Sequence, residues 1–494
     1  MAMIDSTVVN VALPVLQSAL DATTAQVQWV VEAYALFLAA LILVGGSLGD
    51  RWGRRRIFAA GIGLFALASL WCGLAPDVNQ LIIGRAVQGV GGALLVPGSL
   101  AIISAAFDES QRGRAIGTWS GFTAITSAVG PVLGGWLIEN TSWRWIFFLN
   151  LPLALIVLVL VFTHVPESRG EERGRLDWPG AVFVTLGLGA IVFGLIEAGR
   201  LGLGHFTALS TIVLGAIALL TFVWVEAHSR APMMPLSLFR SATFSGANLL
   251  TLLLYAGLSG ALFFLPFNLI QVQGYSATAA GAALLPFILL MFVLSRWSGG
   301  LVNRYGAKRP LIVGPIVTAI GFAMLALPGV GGSYWQTFFP AVVVLGLGMS
   351  ISVAPLTTTV MAAVPVRQAG IASGINNAVA RTAGLLAIAV LGLVVAQVFN
   401  RRLDTRLAAL AVPTDVLRLL ADQRVKLAGA EIPNSVAGSL RSAIEQAIDQ
   451  SYIDSFRLTM LIAAGLALAS AIAAAAMIQN QPQGDLLRES RGRA

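Results

Sequence analysis

Asp5, Glu32 and Arg85 interrupt stretches of sequence that are otherwise apolar. A charge at the centre of a membrane span costs about 2.5–3.5 kcal/mol on insertion scales unless it is paired or faces a water-filled cavity. Such residues therefore mark where chemistry is to be sought. A carboxylate gains and loses a proton, whereas a guanidinium stays charged. An aspartate beside an arginine can act as a proton-operated switch: neutralising Asp5 would release Arg85 and shift the balance between conformations. The same pair also fits a purely structural ion pair between bundled helices, and both readings stand at this point. Glu32 is open between binding cationic substrate, relaying protons and reaching the outer water layer. Arg296 and Arg381 fall in later apolar runs. Arg296 is near enough to a polar turn to snorkel out, while Arg381 lies deeper and is expected to face a cavity. Asn248, Asn268, Gln271, Asn376 and Asn377 can line a polar path or hydrogen-bond between helices. Glu197 and Glu226, at the ends of their runs, read as interfacial.

The elements that must position these groups are long and apolar. Hydrophobic residues make up 57% of the 494 and charged residues 11%, against about 25% charged in a typical soluble protein. Windows long enough to cross a bilayer fall at roughly 29–49, 57–75, 81–105, 115–138, 145–164, 178–197, 206–226, 243–270, 279–302, 310–328, 336–362, 372–398 and 457–478. A shorter apolar run from Met1 to Leu16 reads as a partial first span, making fourteen, with the natural chain expected to start upstream. Such runs must be helices, because lipid offers the backbone no hydrogen bonds. The strand alternation of a barrel is absent. The fold class is all-α, a polytopic membrane protein.

Basic residues in the short loops set the orientation. Fifteen lie on one side: Arg51, Arg54, Arg55, Arg56, Arg112, Arg114, Arg169, Arg173, Arg175, Arg230, Arg240, Arg304, Lys308, Arg309 and Arg367. The opposite short loops carry Arg144 and Arg200. The first set, and both termini, are expected in the cytoplasm, with the protein in the cell (inner) membrane. Trp29, Tyr34, Trp143, Trp145 and Trp335 fall near span ends and read as interfacial anchors. A long loop over about 400–456 lies on the outer side. Its stretch PTDVLRLLADQRVKLAG carries Val416, Leu419, Leu420 and Leu427 at helical spacing, as expected of an amphipathic helix lying on the surface. Partner docking and a plain structural cap are both open for it.

A repeat organises the chain. GGSLGDRWGRRR at 45–56 returns as GGLVNRYGAKR at 299–309, and Gly46, Leu48, Arg51, Gly53 and a basic pair (Arg55-Arg56, then Lys308-Arg309) hold one offset. Two related halves around a central pathway is the plan of many secondary transporters. The expected division is 1–165 as a first six-helix bundle, 166–240 as a linker with two inserted helices, and 241–494 as a second six-helix bundle. In the first copy helix 2 is expected to end at Leu48-Gly49 and helix 3 to begin after Arg56. Gly46 and Gly53 would permit close approach and positive φ. Asp50 would cap or pair near the next helix, and Arg51, Arg54 and Arg55 would pair with Asp50 or with the other half.

This block resembles the loop signature of the major facilitator superfamily. LIIGRAVQGVGGA (81–93) resembles the fourth-helix motif of that family, and GPVLGG (130–135) is similar to its fifth-helix exporter motif. DSTVVNVALP (5–14) and WRWIFFLNLP (143–152) resemble the fourteen-helix drug:proton antiporter branch. Thr126 stands where the fifth-helix motif often has glycine, and Asn303 where the first repeat has aspartate. The resemblance implies proton coupling at Asp5, Arg85 and Glu32, and a conformational switch at the 46–55 turn. It also implies a pliable exporter helix at Gly130, Pro131, Gly134 and Gly135; a close-packed kink explains those four residues equally well.

No GxxxxGK[ST] loop is present to cradle ATP phosphates. His164, His205 and His228 are scattered without metal-ligand spacing. The expectation is therefore a transporter, not an enzyme, with no metal or cofactor, no ATP and no nucleic acid, driven by a proton gradient. Its cargo would be a small amphipathic or cationic molecule; export of a specific metabolite is the alternative, and a membrane-embedded enzyme or sensor a remote one. The chain is expected to work as a monomer in the lipid bilayer, with a periplasmic adaptor an admissible partner. Cys72 is the single cysteine, so no disulfide framework exists.

Overall fold

A computed structural model describes residues 1–107, 109–169, 177–229, 232–365, 368–410, 412–433, 436 and 438–479. Arg173, Arg175, Arg230 and Arg367 lie outside the described residues, as do the side chains of Arg112, Arg114, Arg296 and Asn303.

The first half contains α1 (Ala2–Ala19), α2 (Thr24–Trp52), α3 (Arg54–Leu74), α4 (Val78–Ala106), α5 (Glu109–Asn140), the short α6 (Trp145–Phe148) and α7 (Asn150–His164). Two further helices follow, α8 (Trp178–Leu201) and α9 (Phe206–His228). The second half contains α10 (Ala242–Phe267), α11 (Ala277–Ala282), α12 (Leu285–Tyr305), α13 (Lys308–Leu325), α14 (Tyr334–Thr337), α15 (Phe339–Ala362) and α16 (Ala369–Ala409). It closes with α17 (Thr414–Gln423) and α18 (Gly438–Met477). Thirteen helices among the described residues are long and apolar enough to cross a membrane. The 32-residue α5 is a further helix of spanning length packed beside α1.

Helix ends follow local chemistry. Thr23 and Gln26 form a reciprocal cap at the start of α2, Thr23 N donating to Gln26 Oε1 and Gln26 N to Thr23 Oγ1. Asp77 caps α4 by accepting from the backbone of Asn79 and Gln80. The outward faces are apolar, as lipid requires: on α9, Leu214, Leu220 and Trp224 are exposed. α8 pairs with α9 and leans on α2 from the first half and α16 from the second.

The repeated turn is tighter than the sequence reading placed it. α2 continues through Leu48 and Gly49 to Trp52, and α3 starts at Arg54, before the expected Arg56. Only Gly53 breaks the helix, at φ 114°, a conformation disfavoured by a side chain. The second copy turns in the same way at Gly306, φ 74°, between α12 and α13. Gly46, by contrast, is helical. Its neighbour Gly45 is the one pressed against the Ala93 carbonyl of α4, where no Cβ would fit.

The long loop is also shorter than expected, because α16 runs on to Ala409 and α18 already begins at Gly438. Arg406 Nη2 on α16 meets Asp454 Oδ2 on α18 at 2.9 Å, tying the two extended helices together. α17 is amphipathic as read, burying Val416 and Leu420 and exposing Leu419. Helical spacing does not extend to Leu427, which adopts φ 54°.

Candidate functional site

α1, α4, α3 and α7 bring a polar cluster into an apolar interior. Asp5 lies in the first turn of α1 and is 1% exposed. Arg85 of α4 is equally buried, its Nη1 2.5 Å from Asp5 Oδ2. The other carboxylate oxygen, Oδ1, accepts from Gln88 Nε2 at 2.9 Å and from Asn150 Nδ2 at 3.1 Å. Gln88 also accepts from Arg85 Nη1 at 2.6 Å and donates to Ser69 Oγ at 2.8 Å. Arg85 Nε donates to the Val30 carbonyl of α2, and its guanidinium stacks 4.4 Å from the Tyr34 ring centroid. Five helices, α1, α2, α3, α4 and α7, thus hold one carboxylate and one permanent cation in direct contact.

Asp5 and Arg85 were legible as charges in apolar runs; Gln88, Asn150 and Ser69 were not. Gln88 carried a signal, since it stands three residues from Arg85 and so on the same helix face. Asn150 and Ser69 carried none. Tyr34 and Trp143 are corrections: both are buried rather than interfacial. Tyr34 is drawn inward by the Arg85 cation, and Trp143 is covered by Arg144, whose guanidinium lies 4.3 Å from its ring centroid. Trp145 and Trp335 are exposed, as membrane anchors should be.

Glu32, on α2, is fully buried, and neither carboxylate oxygen has a hydrogen-bond partner among the described residues. Arg381 of α16 has a buried Nε without a partner among the described residues and lies within electrostatic reach of Tyr34. The structure does not bring Asn248, Asn376 and Asn377 to one open surface. Asn376 Nδ2 donates to Asn248 Oδ1 at 3.1 Å and Thr251 Oγ1 at 2.7 Å, joining α16 to α10, while Asn377 is exposed and bonded to its own helix. Glu226 is buried rather than interfacial, because the chain folds back over it and Met234 N donates to its carboxylate at 3.0 Å. Glu197 stays at a helix end, paired with Arg200 at 2.8 Å.

At the first repeated turn Arg54 Nε pairs with Asp50 Oδ1 at 2.8 Å, one helical turn away. Glu167, which follows α7, is the partner that sequence reasoning missed. Its carboxylate accepts from Arg55 N at 3.0 Å and lies 3.5 Å from Arg56 Nε. It packs so closely on Gly53 that a Cβ there would meet it at 2.6 Å. Arg51 is exposed. Among the described residues the bonds of Asp50, Arg54 and Arg55 therefore stay within the first half and the segment that follows α7.

The four residues of the exporter-like helix are contact points. Gly130 abuts Thr7 and Ile4 of α1, and Gly134 abuts Val8 of the same helix. Gly135 faces the Ala277 carbonyl across the seam between the halves, and Gly281 of α11 faces the Pro131 carbonyl. Beyond them Glu139 accepts from Thr278 N at 2.8 Å and Thr278 Oγ1 at 2.6 Å, one half capping a helix of the other. The string Gly45-Gly46-Ser47-Leu48-Gly49 has the spacing of a hydrolase nucleophile turn. Ser47, however, lies inside α2 with its hydroxyl donating to the Leu43 carbonyl at 3.1 Å.

An all-helical, two-half membrane bundle with a buried charge cluster and a repeated polar turn is the architecture of a secondary transporter. The sequence matches the family model of the Major Facilitator Superfamily over residues 1–388, and the chain belongs to that family. It is 35% identical to the multidrug resistance protein Stp of Mycobacterium tuberculosis over 94% of this chain and 87% of that one. It is 31% identical to the tetracenomycin C resistance and export protein of Streptomyces glaucescens, over 96% and 88% of the two chains. It is 37% identical to the puromycin resistance protein pur8 of Streptomyces alboniger, over 79% and 78%. Among solved structures it resembles an inward-facing bacterial homologue of the human lysosomal transporter Spinster, at TM-score 0.62 and 17% identity, over 97% and 96% of the chains. It also resembles the xylose transporter XylE of E. coli, at TM-score 0.55 and 14% identity, over 98% and 96%. At these identities the structural likenesses speak for the fold alone.

Proposed function

We propose that this protein is a proton-coupled antiporter of the fourteen-helix branch that exports amphipathic or cationic small molecules by alternating access. The observation that carries the reading is the Asp5 cluster. A titratable carboxylate is held by a guanidinium that cannot lose its proton and by two amide donors. A proton on Asp5 removes the ionic partner of Arg85 and forces at least one donor to turn away, so the bonds that tie α1 to α4 and α7 differ between the two charge states. Such a two-state element is what a gradient can drive. Glu32 supplies the second element. A buried carboxylate without a partner costs several kcal/mol unless a proton or a cation neutralises it, and a cationic cargo and a proton can compete for that position.

The cargo class draws on the relatives, whose names assign them to multidrug, tetracenomycin C and puromycin resistance. The reading places the arginine-rich turns and both termini in the cytoplasm, by the excess of positive charge at that end. It needs no cofactor beyond the proton gradient, a lipid bilayer as its setting and a single chain as its working unit.

Everted membrane vesicles test it. Adding a transported dye should dissipate an imposed proton gradient, and Asp5→Asn should lower gradient-driven efflux at least tenfold at unchanged protein level. Undiminished active efflux by that variant would falsify the coupling role of Asp5.

A further inference from the structure

The long loop leaves α16 and returns to α18, both in the second half, yet its middle is fastened to the first half. Gln17 of α1 is 1% exposed and donates from Nε2 to the Lys426 carbonyl at 3.3 Å. Lys426 Nζ lies 2.6 Å from Asp21 Oδ1 in the turn after α1, and 3.7 Å from Glu431 on the loop itself. Gly429 packs against the Gln17–Gln271 pair, in which Gln271 Nε2 donates to Gln17 Oε1 across the seam at 2.8 Å. Leu427 is buried between these contacts at φ 54°, a conformation disfavoured for a residue with a side chain. Burial and the flanking bonds must offset that cost, so the segment is held in place and not loosely draped.

We propose that Arg424–Gly429 is a gate of the transport cycle, closing the end of the bundle opposite the arginine-rich turns by strapping the second half to Gln17 and Asp21. The proposal rests on the alternating-access reading above, because that reading requires the halves to part at this end. Parting them breaks the Lys426–Asp21, Gln17–Lys426 and Gln17–Gln271 contacts together. Behind the strap lies a cavity of about 370 Å³ lined by Gln28, Ile196, Leu393, Arg424, Val425 and Leu427. The segment is thus gripped along one edge and backed by space, which suits a part that must lift.

The test is a reversible tether between the strap and the first half. In reconstituted full-length protein, Asp21→Cys with Lys426→Cys is cross-linked by a short bis-methanethiosulfonate; the native Cys72 is buried and out of reach. Dye efflux should fall at least tenfold on cross-linking and return with reductant, while dye binding to the tethered protein persists. Efflux at the untethered rate by fully cross-linked protein overturns the gate. Absence of gradient-driven efflux in the unmodified chain overturns the proposed function and the gate with it. A second measurement avoids the tether. Gln17→Ala should raise several-fold the reaction of an impermeant maleimide with Ala277→Cys, placed in the buried seam beside Gly135; unchanged reactivity counts against the gate.

Discussion

Arg85 and Arg381 are both arginines inside apolar helices, one in each half, and both lie within electrostatic reach of Tyr34. Their surroundings differ. Arg85 has Asp5, the Gln88 amide, the Val30 carbonyl and an aromatic face. Arg381 has a buried Nε without a partner among the described residues. Residue type and hydropathy made these two positions look alike, while the contacts separate a fixed element from an available one. A charge that is satisfied holds a conformation until its partner changes charge state; under the proposed function, one that is under-satisfied is free to be completed by cargo. Glu32 belongs with Arg381 in this division, and Asp5 with Arg85.

The sharpest way to break the comparison is truncation of each arginine. Arg85→Ala strands the Asp5 carboxylate and should cost about 3–5 kcal/mol, read as a large fall in melting temperature of the purified protein. Arg381→Ala should leave melting nearly unchanged and alter the rank order of exported dyes; equal destabilisation by the two variants would dissolve the distinction. Next in size are the amide donors. Asn150→Ala or Gln88→Ala should each cost about 1–3 kcal/mol by leaving part of a buried charge unsatisfied, and should shift the pH dependence of efflux. Glu32→Gln should weaken efflux of cationic dyes about tenfold, a change worth 1.4 kcal/mol, while sparing neutral ones. Equal losses for both dye classes would move Glu32 out of cargo recognition. Smallest is Glu167→Gln at the repeated turn. Its partially exposed pairs with Arg55 and Arg56 are worth about 1 kcal/mol or less, so melting should barely move.

Much of the scaffold was legible before any coordinates. Every apolar window, the run from Met1 to Leu16 included, corresponds to a helix, or a pair of consecutive helices, in the fold. The repeat marked two of the places where the chain reverses on a positive-φ glycine, Gly53 and Gly306. The errors were of two kinds. Helix ends slipped where amphipathic segments continue a span past its apolar part, as at Ala409 and Gly438. Side chains near span ends, such as Tyr34, Trp143 and Glu226, were assigned to the interface by depth alone, although packing had drawn them inside. Depth along a helix can be read from hydropathy; direction around it requires its neighbours.

The amino-acid sequence by itself determined where the chain is helical, where it turns and which residues carry charge into the apolar interior. These are local consequences of apolar length, capping and glycine. Only the tertiary structure decided that Asp5 meets an amide 145 residues away at Asn150, that Glu32 meets no partner among the described residues, and that Lys426 reaches back to Asp21. Those outcomes depend on how helices rotate and cross, and neutral amides, small hydroxyls and a loop's path leave no periodic trace in the sequence from which that rotation can be read.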